Sequence, residues 1–472
     1  MERIRTDICV IGAGSGGLSV AAGAVQMGAK VVLIEGHRMG GDCLNYGCVP
    51  SKALIAAAKH AHAMTDGAPF GVAPVTPEVD YAAAKDHVAR VIGTIAPVDS
   101  QERFEKLGCT VIRDWARFVS PDAVMAGDRR IEARRFVIAT GSSPFVPPIP
   151  GLDTVPYLTN ETLFDLRERP DHLLIVGGGP IGMEMAQAHR RLGCKVTVIE
   201  GDRAMGKDDP EMAAIVLDRL RGEGIEIVER AKAEKVGGGA GEITVETSEG
   251  RFTGSHLLIA VGRKVNLERL DLKAGNVAHD RAVKVDRHLR SVSNRRVYAV
   301  GDCAGGLQFT HVAGYHAGIV VRAAVLGLWF SKATTRHIPW ATYTDPELAH
   351  VGLTEAQARK EHGIHLEVVR FPYDENDRAV AEGRTTGLIK VMVARGRPVG
   401  ATIAGDRAGD LIAMWATAIA NRQKMSAIAN TVLPYPTLSE INKRAAGAYF
   451  SSRLFDNDWL KTAVRLIQKY LP

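Results

Sequence analysis

Apolar and polar positions follow one another along this chain in a pattern that repeats. The run Ile8-Cys9-Val10-Ile11 is followed, past a glycine-rich turn and a helix-compatible stretch, by Val31-Val32-Leu33-Ile34. The same succession recurs at Leu173-Leu174-Ile175-Val176 and Lys195-Val196-Thr197-Val198-Ile199. Continuous apolar runs of this length suit strands covered on both faces, so each pair predicts a strand–turn–helix–strand unit. Two further runs, Phe136-Val137-Ile138-Ala139-Thr140-Gly141 and Leu258-Ile259-Ala260-Val261-Gly262-Arg263, read as apolar strands ending in small-residue turns, and their likeness suggests a duplicated architecture. Residues 80–107 are helix-compatible. The proline-rich link Pro144–Gly151 marks a boundary, since Pro continues neither a helix nor a central strand. From about 337 the pattern changes. Strands are predicted at Glu367–Phe371 and Gly387–Val393 and a helix around Asp410–Ala420, an α+β module without a glycine fingerprint.

The turns of the two repeated units read Gly12-Ala13-Gly14-Ser15-Gly16-Gly17 and Gly177-Gly178-Gly179-Pro180-Ile181-Gly182. The second strand of each unit ends in a glutamate, Glu35 or Glu200, 23 residues after the first glycine. In such a motif the first Gly permits a tight turn, the second lets backbone approach a pyrophosphate, and the third packs helix on strand. The helix N-terminus offers N–H groups and positive dipole to the phosphates, and the glutamate accepts hydrogen bonds from a ribose diol. One such motif alone is weak evidence. Two in full context predict a chain that binds two dinucleotides.

Composition narrows the setting. A length of 472 residues exceeds one ordinary domain and suggests three. Hydrophobic content of 46% and charged content of 24% fit a soluble globular protein. A net charge of +6, scattered as pairs such as Arg134-Arg135, argues against nucleic acid as a partner. Six cysteines are too few for a disulfide scaffold and fit a reducing compartment. No stretch approaches the roughly 20 apolar residues of a spanning helix, and the first strand starts too close to Met1 for a signal peptide. The expected location is the cytoplasm.

Two of the cysteines carry the chemistry. Cys43 and Cys48 are separated by four residues in Gly40-Gly41-Asp42-Cys43-Leu44-Asn45-Tyr46-Gly47-Cys48-Val49-Pro50-Ser51-Lys52, just behind the first glycine signature. That placement suggests a dithiol/disulfide exchanging electrons with a flavin. The bland alternative is a pair of small buried apolar residues. A structural zinc site would need further ligands, and no second Cys/His cluster stands at zinc-like spacing.

Taken in order, these motifs resemble the pyridine nucleotide–disulfide oxidoreductases, the flavoproteins that include dihydrolipoamide dehydrogenase, glutathione reductase and mercuric reductase. The likeness runs through the glycine run at Gly12, the cysteine run, Thr140-Gly141 and the glycine run at Gly177. It continues through Gly262-Arg263 with Asn266, Tyr298-Ala299-Val300-Gly301-Asp302 and Tyr435-Pro436-Thr437-Leu438-Ser439-Glu440. The resemblance implies an α/β fold of two Rossmann-like dinucleotide-binding domains plus a C-terminal α+β dimerisation domain. The implied divisions are an FAD-binding domain in two parts (1–150 and 269–336), an NAD(P)-binding domain (151–268) and a dimerisation domain (337–472). It also implies a homodimeric enzyme whose active sites are each completed by the partner subunit.

By the same resemblance, FAD lies on Gly12, Gly14, Gly17 and Glu35, with Asp302 at its ribityl chain and the Thr140-Gly141 and Gly262-Arg263 turns at the cofactors. Cys48 is the charge-transfer thiol, Cys43 the interchange thiol facing the small-molecule acceptor, and Lys52, paired with Glu184, sits near flavin N5. NAD(P)H uses Gly177, Gly179, Gly182 and Glu200. A carboxylate at the ribose disfavours a 2′-phosphate and so favours NADH, although Arg203 is close by in sequence.

The chain departs from the family at Tyr435. Disulfide-reducing members place a His there, oriented by a Glu five residues on, which survives as Glu440. A tyrosine with an ordinary pKa of about 10 is a poor base at neutral pH. The readings left open are another His, with His311 and His316 as candidates, or a merely packed aromatic. A tyrosine here resembles mercuric reductase, as does Gly301-Asp302-Cys303 with Gln308-Phe309, yet a preceding Cys-x-x-Cys domain and a C-terminal Cys pair are missing. Pro180 stands where thiol reductases often carry a gating Tyr.

The final stretch puts Leu460, Ala463, Val464, Ile467 and Leu471 on one helical face and Lys461, Arg465 and Lys469 on another. Such a helix can rest on a membrane or partner, but more often it packs on its own domain, which is the expectation here. The leading functional reading is an NAD(P)H oxidoreductase passing electrons through FAD and the Cys43–Cys48 disulfide to a metal ion, quinone or disulfide. The alternatives are a dihydrolipoamide dehydrogenase tolerating Tyr435 and a redox-sensing or membrane- or partner-binding flavoprotein.

Overall fold

The computed structural model describes residues 2–471, apart from the side chain of Ser452. Contacts divide it into two compact units, Met1–Asp202 with Glu226–Thr334, and Arg203–Ile225 with Thr335–Pro472.

In the first unit, Glu2–Ile11 lies inside a seven-stranded sheet, with Val31–Ile34 and Thr110–Ile112 to one side and Arg129–Ile138 to the other. Ile11 pairs in parallel with both Ile34 and Ile138. Val297–Ala299 adds to Arg129–Ile138 and so delivers the Gly301-Asp302 turn to the same end of the sheet as Gly12. The first strand is longer than its apolar run. Residues 2–7 are mostly polar, and their register with Arg129–Ala133 holds them in the sheet, a tertiary cause that overrides local pattern.

A second, four-stranded parallel sheet runs Glu226–Val228, Lys195–Ile199, His172–Val176, His256–Ile259. The two similar phrases occupy equivalent places, Val137 pairing with Val10 and Leu258 with Ile175. Helices Ser15–Gln26 and Pro180–Arg191 leave directly from the glycine turns. The helix-compatible stretch forms Tyr81–Ile95 and Gln101–Lys106. Asp80 caps the first of these through Ala83 N–H at 2.9 Å, a contact worth about 1 kcal/mol.

The second unit is built on an antiparallel sheet ordered Pro339–Thr342, Glu347–Gly352, Arg397–Gly405, Leu388–Ala394, Leu366–Pro372. The two predicted strands lie side by side, Val369 opposite Val391. Helix Ala408–Ala420 packs on the sheet through Trp415, which is fully buried and donates its Nε1–H to Asn442 Oδ1 at 2.7 Å. Segment 203–225 belongs to this unit. The buried Lys390 ammonium lies 2.8 Å from both Asp209 and Glu211 and 2.5 Å from Glu355. The expectation that the last helix packs on its own domain is not met. Asn457 caps a separate helix, Asp458–Tyr470, and none of its residues is buried. Among the described residues no helix is long and apolar enough to cross a membrane.

Candidate active site

The two glycine turns have the same internal logic. Gly12 and Gly177 hold φ of +106° and +116°, and a Cβ there would lie 2.3 Å from Ala139 O or 2.4 Å from Ala260 O. A Cβ on Gly17 would meet Gly12 O at 1.9 Å, and one on Gly182 would meet Gly177 O at 2.0 Å. The protein's own backbone therefore forces the first and third glycines. The middle ones are different: a Cβ on Gly14 would find only Gly41 Cα, at 3.8 Å, and one on Gly179 nothing within 4 Å. Each leaves open space at a helix N-terminus, where free N–H groups and dipole favour phosphate. Glu35 accepts from Ala13 N–H at 2.6 Å and His37 N–H at 2.7 Å, and Glu200 from Gly178 at 2.6 Å and Asp202 at 2.9 Å. Both cradles fit a dinucleotide with its pyrophosphate at the turn and its ribose at the carboxylate.

The cysteine loop is pressed onto the first of these cradles. Gly40 N–H donates to Ala13 O at 2.9 Å, and Gly41, at φ +61°, lies so close to Gly14 that a Cβ would sit 2.7 Å from its Cα. Cys43 falls in the short helix Gly41–Asn45, and Cys48 opens the helix Cys48–Ala63. Neither is joined in a disulfide, and the two thiols perturb each other's ionisation. The interaction with the neighbouring Cys43 thiol is the main reason the Cys48 pKa falls to about 6. Thr310 and the Lys52 charge also lower it, while burial and Asp42 oppose. The same interaction, with burial, raises Cys43 and keeps its proton in place. In the reduced pair the thiolate is therefore Cys48. Thr310 Oγ1 lies 3.3 Å from Cys48 Sγ at the start of helix Thr310–Ala324. Lys52, one turn past Cys48, donates to the buried Glu184 at 2.8 Å.

A polar chain links this loop to Asp302. Asp42 pairs with Arg263 at 3.0 Å and accepts from Asn160 Nδ2 at 3.1 Å. Arg263 donates to Ser142 Oγ and Ser142 O, each at 2.7 Å, and Ser142 Oγ donates to Asp302. Burial raises the Asp302 pKa, with Ser142 and Arg263 opposing. The Thr140-Gly141 turn is pinned by Asn266 and by the buried Cys303, whose Sγ accepts from Gly141 N–H at 3.1 Å. Gly262, at φ +148°, accepts from Phe145 N–H at 2.9 Å. Sequence reading missed Thr310, Ser142 and Asn160, common polar residues outside any spaced motif. Ser15, which lowers the Cys43 pKa slightly, was at least inside one.

In the second unit, Tyr435 precedes a cis proline, and its side chain is 69% exposed, so it is not a packed aromatic. Its hydroxyl donates to Asp377 Oδ2 at 2.9 Å. That bond, then the charges of Asp377 and Glu440, raise the tyrosine pKa further, so the group stays protonated at neutral pH. Asp377, rather than Glu440, holds the hydroxyl. The buried His316 is engaged elsewhere, its Nδ1 accepting from Gly301 N–H at 3.2 Å, and burial lowers its pKa. His311 stacks on Phe309 with ring centroids 5.4 Å apart. Pro180 occupies the first turn of its helix, beside the part-exposed Ile181.

The family model described as pyridine nucleotide-disulphide oxidoreductase matches residues 6–317, and that of its dimerisation domain matches residues 338–446. The chain belongs to this family. It is 34% identical over 449 residues to a mercuric reductase of Lysinibacillus sphaericus, covering 93% of this chain and 82% of that one. It is 34% identical over 462 residues to the mercuric reductase of Streptomyces lividans, covering 94% and 96%. Among solved structures, the Cu(II) complex of the HOCl-induced flavoprotein disulfide reductase RclA from Escherichia coli superposes with a TM-score of 0.85 at 27% identity, covering 94% of this chain and 99% of that one. This disulfide oxidoreductase is thus a mercuric-reductase-like flavoenzyme that uses FAD and NAD(P)H, with the α/β fold read from its sequence.

Proposed function

We propose that this oxidoreductase takes two electrons from NADH, passes them to the Cys43–Cys48 disulfide, and delivers them to a soft metal ion of the mercuric class, with quinones or an unusual disulfide as further acceptors. The observation that carries the reading is the contrast between a Cys48 thiol with a pKa near 6 and a Tyr435 held protonated by Asp377. Bound FAD supplies the two-electron link between nicotinamide and disulfide. The chain's own residues do the rest. Gly12, Gly14, Gly17 and Glu35 hold FAD, with Asp302, Thr140, Gly141 and the Gly262-Arg263 turn around it. Gly177, Gly179, Gly182 and Glu200 hold the nicotinamide cofactor, and the Glu200 carboxylate repels a 2′-phosphate, which favours NADH.

Reduction breaks the S–S bond. The two electrons of NADH and two protons, one of them from solvent, give two thiols, and Cys48 then loses its proton above about pH 6. Lys52, fixed by Glu184, supplies positive charge that favours this thiolate. Transfer to a disulfide substrate requires a proton for the leaving thiol, and Tyr435 offers no base to manage it. A soft ion binds thiolates without that step. For Hg²⁺ as substrate the balance is NADH + Hg²⁺ giving NAD⁺, H⁺ and Hg⁰. The dimerisation domain supports a homodimer; in this reading the partner subunit completes each site and the enzyme acts in the cytoplasm.

Anaerobic NADH titration of the FAD-loaded protein tests the route. Electron uptake is expected to expose two new thiols and a long-wavelength absorbance from the Cys48 thiolate, both absent in Cys48→Ser. Full uptake with no new thiol overturns it.

A further inference from the structure

The helix Asp458–Tyr470 lies beyond the matched dimerisation segment and has no part in the electron path. At 100° per residue, Trp459, Leu460, Val464, Leu466, Ile467 and Tyr470 fall within one arc of about 160°. Lys461, Arg465 and Lys469 share the opposite arc with Asp458, Thr462 and Gln468. Among the described residues the apolar arc stays largely open: Trp459 is 79% exposed, Ile467 48% and Tyr470 71%. A contiguous apolar surface of this kind needs an occupant.

The polar arc says which one. It carries three cations against one acid, Asp458, and so complements an anionic surface. Lys461 makes only a loose, exposed contact with Asp458 at 3.7 Å, and among the described residues neither Arg465 nor Lys469 pairs with an acid. Lys469 leans over the Tyr470 ring, 5.3 Å from its centre, and keeps its ammonium in water. Trp459 and Tyr470 both lie on this face, where their amphipathic rings suit the level of lipid headgroups. At 13 residues the helix is about 20 Å long, too short to span a bilayer but long enough to lie in its surface.

We propose that this helix docks the enzyme on an anionic lipid bilayer, apolar arc among the acyl chains and lysine and arginine heads among acidic headgroups. The inference goes beyond the electron-transfer reading and does not depend on the identity of the acceptor.

The test is flotation of the full-length FAD-loaded dimer with phosphatidylglycerol vesicles and with phosphatidylcholine vesicles. Wild type is expected to bind the former, to bind the latter at least about tenfold more weakly, and to lose affinity as salt rises. The charge-reversed variant K461E/R465E/K469E and, separately, Ile467→Asp are each expected to lose about tenfold or more of that binding while NADH-driven flavin reduction is unchanged. Equal binding to both lipids, or none by a protein that still reduces its flavin, overturns the proposal. So does a sedimentation shift from dimer to monomer on Ile467→Asp, which would make a second copy the occupant.

Discussion

The dithiol turn and the Tyr435 turn belong to one family pattern, and they differ in what surrounds them. The cysteine pair is built in: its loop is wedged on Gly14, its thiolate is supported by Cys43, Thr310 and Lys52, and Asp42 is tied through Arg263 and Ser142 to Asp302. Tyr435 is exposed, and its one described hydroxyl contact, with Asp377, makes it a weaker acid and no base. In the proposed function the dithiol carries the electrons while Tyr435 supplies no base for a leaving thiol, so the two tasks are separable and the choice of acceptor follows the second.

The largest break in this contrast is Cys48→Ser. Acceptor turnover should fall by more than about 10³-fold while NADH still reduces the flavin, as stopped-flow absorbance would show. Next is Tyr435→His. Restoring a group that titrates near neutral pH should raise lipoamide turnover by roughly 10² to 10⁴, and a gain below tenfold would show that position 435 does not decide the acceptor. The pH dependence sharpens the other side. Because the Cys48 pKa is depressed from its ordinary value near 9, the thiolate absorbance of the reduced protein should persist at neutral pH and disappear as pH falls through about 6. Thr310→Val removes a supporting hydrogen bond and should move that midpoint upward, by about one unit or less. The smallest effect belongs to Asp377→Asn. Tyrosinate absorbance should appear at lower pH than in wild type, with lipoamide turnover changed less than about twofold, because a tyrosine near its ordinary pKa is still no base at pH 7.

What the sequence reveals follows from where each constraint originates. The glycine turns are legible because the backbone forbids a Cβ at Gly12, Gly17, Gly177 and Gly182, a local demand that leaves a local signature. The cysteine pair is legible by its spacing and its place behind the first turn. Thr310, Ser142 and Asn160 meet their partners across 262, 160 and 118 positions of chain, and nothing in their neighbours announces it. Asp377 is of the same kind, brought to Tyr435 across 58 positions by the fold of the second unit. The extension of the first strand and the exposure of the last helix were likewise hidden. The first depends on pairing with Arg129–Ala133, and the second on a new helix that starts behind its Asn457 cap after the preceding one has ended at Phe455.

The most direct test of the central claim is steady-state anaerobic oxidation of NADH by the FAD-loaded dimer, with lipoamide and mercuric ion compared as sole acceptors. The account predicts sustained turnover with mercuric ion and negligible turnover with lipoamide, with flavin reduction intact in both. Lipoamide turnover of about ten per second or more would contradict it.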